Sequence, residues 1–187
     1  MRYISKGMVL KPSTEHILNV SRCGDDFKLT GINAKLWLDG RYTVAMTKDV
    51  LQETKLKHLV RIGLAEVTEE TGLLAAYRLL TGCVICPAKL KSLHRPLNSA
   101  EHRLWKWISQ AGLRLTASEL VMLNEKDIHP ADSLLGEANR QALTESIYTA
   151  ETIFDGILEG KMEHSPARDR TMKALLGLLR KKRILLI

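Results

Sequence analysis

The sequence predicts a mainly α fold with short β hairpins, divided into two units at residues 1–92 and 93–187. Three observations carry that prediction. Residues Ser165 to Ile187 show a helical apolar pattern running into a short apolar strand. Residues Glu15 to Leu29 are strand-compatible on either side of the turn signal Cys23-Gly24-Asp25-Asp26. Between them, the second half carries successive helical patterns, several opened by Asn, Ser or Thr, whose side chains accept from the free amides of a first helical turn.

Taken in order, Met1 to Lys11 reads as an extended start that Pro12 ends. Glu15 to Ser21 and Phe27 to Leu29 are the two strands of a hairpin. Thr30 to Leu38 is a short helix holding Ile32, Leu36 and Trp37, stopped by Asp39-Gly40. Within Thr47 to Ile62, Leu56, Leu59 and Val60 share a helical face, whereas Val50 and Leu51 are out of phase with it. That slip predicts two short helices meeting near Thr54. Leu64 to Thr68, Glu69 to Gly72 and Leu73 to Arg78 then read as strand, turn and strand. Thr81 to Pro96 joins the halves, with Pro87 and Pro96 as breakers and a basic middle of Lys89, Lys91, His94 and Arg95.

In the second half, Asn98 or Ser99 caps a helix to about Gln110 with Leu104, Trp105, Trp107 and Ile108. Gly112 ends it. Thr116 caps a second helix, Ala117 to about Glu125, and Asp127 to Asp132 is a loop around Pro130. Ser133 to Tyr148 and Thr149 to about Met162 are the next two helices, the latter holding Ile153, Phe154, Ile157 and Leu158. Trp105 and Trp107, two positions apart, point roughly 200° from each other on a helix and cannot both face one core. The expected uses are burial between the halves or a homodimer contact, because aromatics are enriched at interfaces.

The last helix is the most informative. Ser165 can cap it and Pro166 can occupy its first position, where a missing N–H costs nothing. Met172, Leu175, Leu176 and Leu179 form one apolar stripe, with Arg170, Lys173, Gly177, Arg180 and Lys181 opposite. Asp169 in the first turn and basic residues in the last suit the helix dipole. A greasy-and-basic helix followed by the strand Ile184 to Ile187 resembles the third helix and first wing strand of the winged helix-turn-helix superfamily. That resemblance implies that the helix lies in the DNA major groove. Arg168, Arg170, Thr171 and Lys173 would then meet base edges, while Arg180, Lys181, Lys182 and Arg183 would meet phosphates. Leu56-x-x-Leu59 with Arg61 and Leu64 to Val67 gives the first half a similar helix-to-strand arrangement, so two winged-helix-like units in tandem are expected. The run Leu29 to Gly40, followed by Tyr42-Thr43-Val44 and a helix ending Gly63-Leu64, resembles the winged peptide-binding domains of ribosomal-peptide maturation. In those domains a peptide strand is added to a sheet edge, here the hairpin Glu15 to Leu29.

Charge and composition bound the remaining classes. The net charge of +7 fits a polyanionic partner without requiring one. Residues 1–93 carry 14 basic and 9 acidic groups, net +5; residues 94–187 carry 14 and 12, net +2. The densest basic block is Arg180 to Arg183, beside the proposed reading helix. No apolar run approaches the roughly 20 residues of a membrane span, and Met1 to Gly7 lacks a signal-peptide pattern, so a cytoplasmic location without membrane contact is expected. Cys83 and Cys86 form a C-x-x-C pair, but Cys23, His94 and His102 stand at no zinc-finger spacing from it, which favours a structural role. His16, His58, His94, His102, His129 and His164 are scattered, and no nucleotide-cradling or nucleophile motif occurs. The expectation is therefore a non-enzymatic DNA-binding transcriptional regulator needing no cofactor or metal, with a protein- or peptide-binding adaptor as the competing reading.

Overall fold

The computed structural model describes residues 1–14, 17–88, 95–111, 115–150, 152 and 154–187. The basic linker residues Lys89, Lys91 and His94 lie outside them, as do Glu15, His16, Gly112 and Ile153. The chain is mainly α with short antiparallel strands. It divides into two compact units, one of Met1–Cys83 with Leu185–Ile187 and one of Val84–Ile184. The break falls before residue 92 because Ile85–Pro87 (β7) is a strand of the second unit, not a linker: Ile85 bridges Leu115, and the Ala88 N–H donates to the Arg183 carbonyl at 2.8 Å. Among the described residues no helix is long and apolar enough to cross a membrane.

In the first unit, Arg2–Ser5 (β1) lies between Ala45–Met46 (β5) and Ala65–Thr68 (β6), with Tyr3 opposite Ala45 and Val67. A second sheet joins Met8–Val9 (β2), Ile17–Arg22 (β3) and Asp25–Thr30 (β4). The expected hairpin is β3–β4. Its two-residue turn, Cys23-Gly24, has φ of 53° and 97°, the left-handed pair that matches the twist of the flanking strands. Gly31–Asp39 (α1) follows directly, with the fully buried Trp37 donating from Nε1 to the Lys6 carbonyl at 2.9 Å. Tyr3, Leu18, Val20, Leu29, Leu36, Trp37, Leu56 and Leu59 close this core.

Two expectations for this unit are corrected. Val50–Arg61 (α2) is one helix, capped by the Asp49 carboxylate on the Gln52 amide at 2.8 Å. Val50 and Leu51 were out of phase because they are outside the core, 77% and 54% exposed. Residues Leu73 to Arg78 are not a wing strand but part of a helix, Gly72–Thr81 (α3). Leu-Leu-Ala-Ala is a strong helix-forming run with no β-branched residue, and α3 buries Ala75, Ala76, Tyr77, Leu79 and Leu80 at helical spacing.

The second unit is built on Ser99–Gln110 (α4), Ala117–Glu125 (α5), Arg140–Ile147 (α6), Asp155–Glu163 (α7) and Arg168–Arg180 (α8); in the strand Ile184–Leu186 (β8) that follows, Ile184 belongs to this unit and Leu185 and Leu186 to the first. Both α4 and α5 start where the sequence placed them, each with a reciprocal capping box, Asn98 with Glu101 and Thr116 with Glu119. The long helix expected from Ser133 is broken: two single 3₁₀ turns precede α6, separated by Gly136 at φ 87°. Similarly α7 starts at Asp155, burying Leu158 and Met162 while Phe154 and Ile157 face outward. Trp107 is fully buried, and half-buried Trp105 carries the Arg183 guanidinium 5.9 Å from its ring centroid. The two indoles therefore occupy different environments within one unit, as their spacing requires.

One ionic contact ties α4 to the end of α8. Glu101, 4% exposed, accepts from Lys181 Nζ and from the Asn98 amide, and Lys181 also donates to the Pro96 carbonyl at 2.8 Å. Gly177 leaves the space into which this carboxylate fits. Burial alone would raise the Glu101 carboxyl. The Lys181 hydrogen bond, the Asn98 amide and the nearby Lys181 and Arg180 charges outweigh it and hold the group below the ordinary glutamate value of 4.5. A lowered folded-state value means that stability is present above that pH and is lost as pH falls through the lower, folded value. Wild type should therefore melt higher than Glu101→Gln at neutral pH, and the gap should narrow as pH falls through the acidic range. A gap independent of pH would show that the carboxylate charge contributes nothing.

Candidate functional site

The final helix does not present the open reading face expected of it. Its N-terminal turn begins two residues later, at Arg168, because the Ser165 hydroxyl accepts from the Ala167 amide at 3.0 Å and closes a separate turn. Seven of its residues, Thr171, Met172, Ala174, Leu175, Gly177, Leu178 and Leu179, are buried. Thr171 is among them. Its hydroxyl donates to the Ala167 carbonyl at 2.8 Å and accepts from Asn124 Nδ2 at 2.9 Å, which removes it from any surface role. Threonine patterns as polar in a sequence, but on a helix its hydroxyl can satisfy itself against the preceding turn and bury.

Three of the other expected contacts are held inside the molecule. Arg168 bonds Asp169 at 2.8 Å and the Glu163 carbonyl. Lys181 is committed to Glu101 and Pro96, and Arg183 is stacked on Trp105. That leaves Arg170, Lys173, Arg180 and Lys182 as the members of the expected set with exposed side chains. Arg180 turns back onto the Leu176 carbonyl at 3.2 Å, so Arg170 and Lys173, one helical step apart, are the outward cations at the start of α8.

Arg170 opens into a groove that the sequence alone did not reveal. Its volume is about 730 Å³, and it is bounded by the first two turns of α4, the end of α5, the loop at His129-Pro130 and the first half of α8. Arg103, Lys106 and Arg170 supply fixed positive charge, with His102 and His129 alongside. The opening amides of α4, at Ser99 and Ala100, also border it, adding the positive end of a helix dipole. One carboxylate answers them: Asp127 accepts from Arg103 at 3.0 Å and stands 3.7 Å from His129. The Arg103 hydrogen bond and charge, followed by His129, hold the Asp127 carboxyl below the usual range, so it is ionised at neutral pH. Arg103 is further fixed by the Ile128 carbonyl at 3.0 Å. Lys106 and Arg170 have no carboxylate hydrogen bond or ion pair among the described residues. The groove is thus a concave, net-positive surface built on α4, the end of α5, the His129-Pro130 loop and α8.

Sequence reasoning missed Lys106 and His102 because their helix was read for its tryptophans. The available signal was the spacing of His102, Arg103 and Lys106, which share one side of α4. The C-x-x-C pair is placed as expected for structural cysteines. Cys83 and Cys86 are buried, none of the three cysteines is in a disulfide, and the Cys83 thiol, bonded to the Leu79 carbonyl, is pushed up to about 12 chiefly by burial. A thiol that does not ionise near neutral pH is a poor nucleophile. Among the described residues no three His, Cys, Asp or Glu side chains gather as metal ligands would. No family model, no curated protein and no solved structure matches this chain.

Proposed function

We propose that the chain is a DNA-binding module, of the kind used in transcriptional regulation, whose second unit grips the duplex through the groove between α4 and α8. The observation that carries this is the groove's charge: Arg103, Lys106 and Arg170 around the first two turns of α4, with Asp127 the one carboxylate paired to them among the described residues. Arg170 and Lys173 remain the outward residues of α8 and would approach the bases. Arg103 and Lys106, together with the exposed Lys182, would approach the phosphates. This revises the expected contact set, with Arg168, Thr171, Lys181 and Arg183 given to the fold.

Element order along residues 99–186 supports the winged reading. Helix α4, the bridged residue Leu115, helix α5, helix α8 and strand β8 follow the winged order, with α6 and α7 as an insertion between the last two helices. In the first unit, the tandem reading rests on the hairpin β3–β4, helices α1 and α2 and strand β6, without a second wing strand. The competing adaptor reading draws on that hairpin, whose strand β4 is bonded to β3 on one side and is the terminal strand of its sheet. The groove favours the polyanion, because its unpaired cations would be left unsatisfied by an apolar peptide face.

The test is equilibrium binding of a labelled random-sequence duplex at two salt concentrations. Micromolar affinity that falls steeply as salt rises is expected, since neutralised phosphates release counterions. Absence of binding at low salt would sink the reading and favour the adaptor.

A further inference from the structure

We infer that the first unit carries a phosphate-binding site of its own, on α2, that engages the nucleic-acid backbone as a second contact; this rests on the DNA reading above. The site is a groove of about 560 Å³ lined by Asn33 of α1 and by Thr54, Lys55, Lys57, His58 and Arg61 of α2. Thr54, Lys57, His58 and Arg61 fall at i, i+3, i+4 and i+7, so they form one stripe along the helix. The opposite face, through Leu56 and Leu59, is buried in the core and fixes the stripe outward.

Two features separate this groove from an ordinary solvated helix face. None of Lys55, Lys57 and Arg61 has a carboxylate partner among the described residues, whereas Glu53 on the same helix is paired with the N-terminal ammonium. Arg61 is held in place, its Nη2 donating to His58 Nδ1 at 3.2 Å, so less freedom is lost on binding. The lining decides between ligands. It holds cations, a hydroxyl and an amide but no apolar side chain, so it offers no pocket for the aliphatic or aromatic anchors that dominate protein docking. Phosphate oxygens require only charge and donors.

The experiment uses the full chain and a fluorescein-labelled random duplex, measured across a salt series. The Lys57→Gln/Arg61→Gln variant should lower the slope of log affinity against log salt by about 2, from about 0.9 per phosphate contact. A smaller loss, about 1, is expected from Lys106→Gln/Arg170→Gln, in which Lys106 is the phosphate contact, and the two losses should add. Lys28→Gln, which removes an exposed cation of the first unit outside the groove, should leave the slope unchanged. A slope unaltered by Lys57→Gln/Arg61→Gln overturns the second site while leaving the α4–α8 reading intact. A slope lowered by that variant but untouched by Lys106→Gln/Arg170→Gln keeps the second site and sinks the first. Poly-glutamate captured through Lys57 and Arg61, with no duplex binding, would reassign the groove to acidic protein and overturn the inference. All five exchanged side chains are solvent-facing or partly so, and matching melting curves would establish that the fold is retained.

Discussion

Exchanging Lys106 and Arg170 together for glutamate is expected to lower affinity for random-sequence duplex on the order of 100-fold at low salt. Both side chains line the α4–α8 groove, and neither has a carboxylate hydrogen bond or ion pair among the described residues. Charge reversal removes two attractions and sets two carboxylates beside Asp127. The loss should shrink as salt rises, because screening weakens repulsion and attraction alike. Thr171→Val makes the contrasting control. It deletes a buried hydroxyl and leaves Asn124 Nδ2 without its partner, for a cost of about 1–3 kcal/mol in stability. Duplex affinity at a temperature where the protein is folded should not change. An affinity loss from Thr171→Val without a change in melting would instead restore this residue to the reading surface. Fluorescence anisotropy and circular-dichroism melting separate the two outcomes.

Gly7→Ala should be the most damaging single exchange in the first unit, by roughly 2–5 kcal/mol. Gly7 joins β1 to β2 at a φ of 109°, a backbone region that side chains of natural chirality rarely occupy. A Cβ there would lie 2.9 Å from the Ser21 carbonyl oxygen and 2.9 Å from Val20 Cγ1. The first is backbone of β3 and the second is a fully buried side chain, so neither can yield without moving the sheet. Strain and overpacking thus act together at one position, against a total domain stability of only about 5–15 kcal/mol. Gly24→Ala is the comparison. It shares a positive φ, but nothing lies within 4 Å of the added carbon, so the cost should be about 1–2 kcal/mol. Hydrogen exchange measured along the chain would locate the loss: amides of β1 to β4 and α1 should lose protection in Gly7→Ala, and those of α4 and α5 should keep it. Equal protection in Gly7→Ala and Gly24→Ala would overturn the close-packing argument.

The elements that could be read from the sequence are those whose determinants are local. The capping boxes of Asn98 with Glu101 and Thr116 with Glu119 lie within four residues, and both helices start where those signals place them. The Cys23-Gly24 turn specifies its hairpin in the same way, through backbone conformations that two residues supply. Periodicity was less secure where apolar residues are not in the core. Val50 and Leu51 suggested a helix break that does not exist, because an exposed valine or leucine has the same letter as a buried one. The run Leu73 to Arg78 was misread for a related reason: a short continuous apolar stretch satisfies strand and helix templates equally, and only the burial of Ala75, Ala76, Tyr77, Leu79 and Leu80 in the folded unit decides between them.

The functional surface divides along the same line. From sequence alone, the basic character of the last helix and its terminus could be established, because charge is carried by the residue itself. Which of those charges reach solvent depended on tertiary partners far along the chain. Lys181 is withdrawn by Glu101, 80 residues away, and Thr171 by Asn124, 47 residues away. Arg170 finds its neighbours Lys106 and His129 only after α4, α8 and the intervening loop have packed. The sequence determined a basic, mainly α chain with short hairpins and sharply capped helices. The tertiary structure decided where free positive charge gathers, because burial and ion pairing depend on contacts that no local pattern encodes.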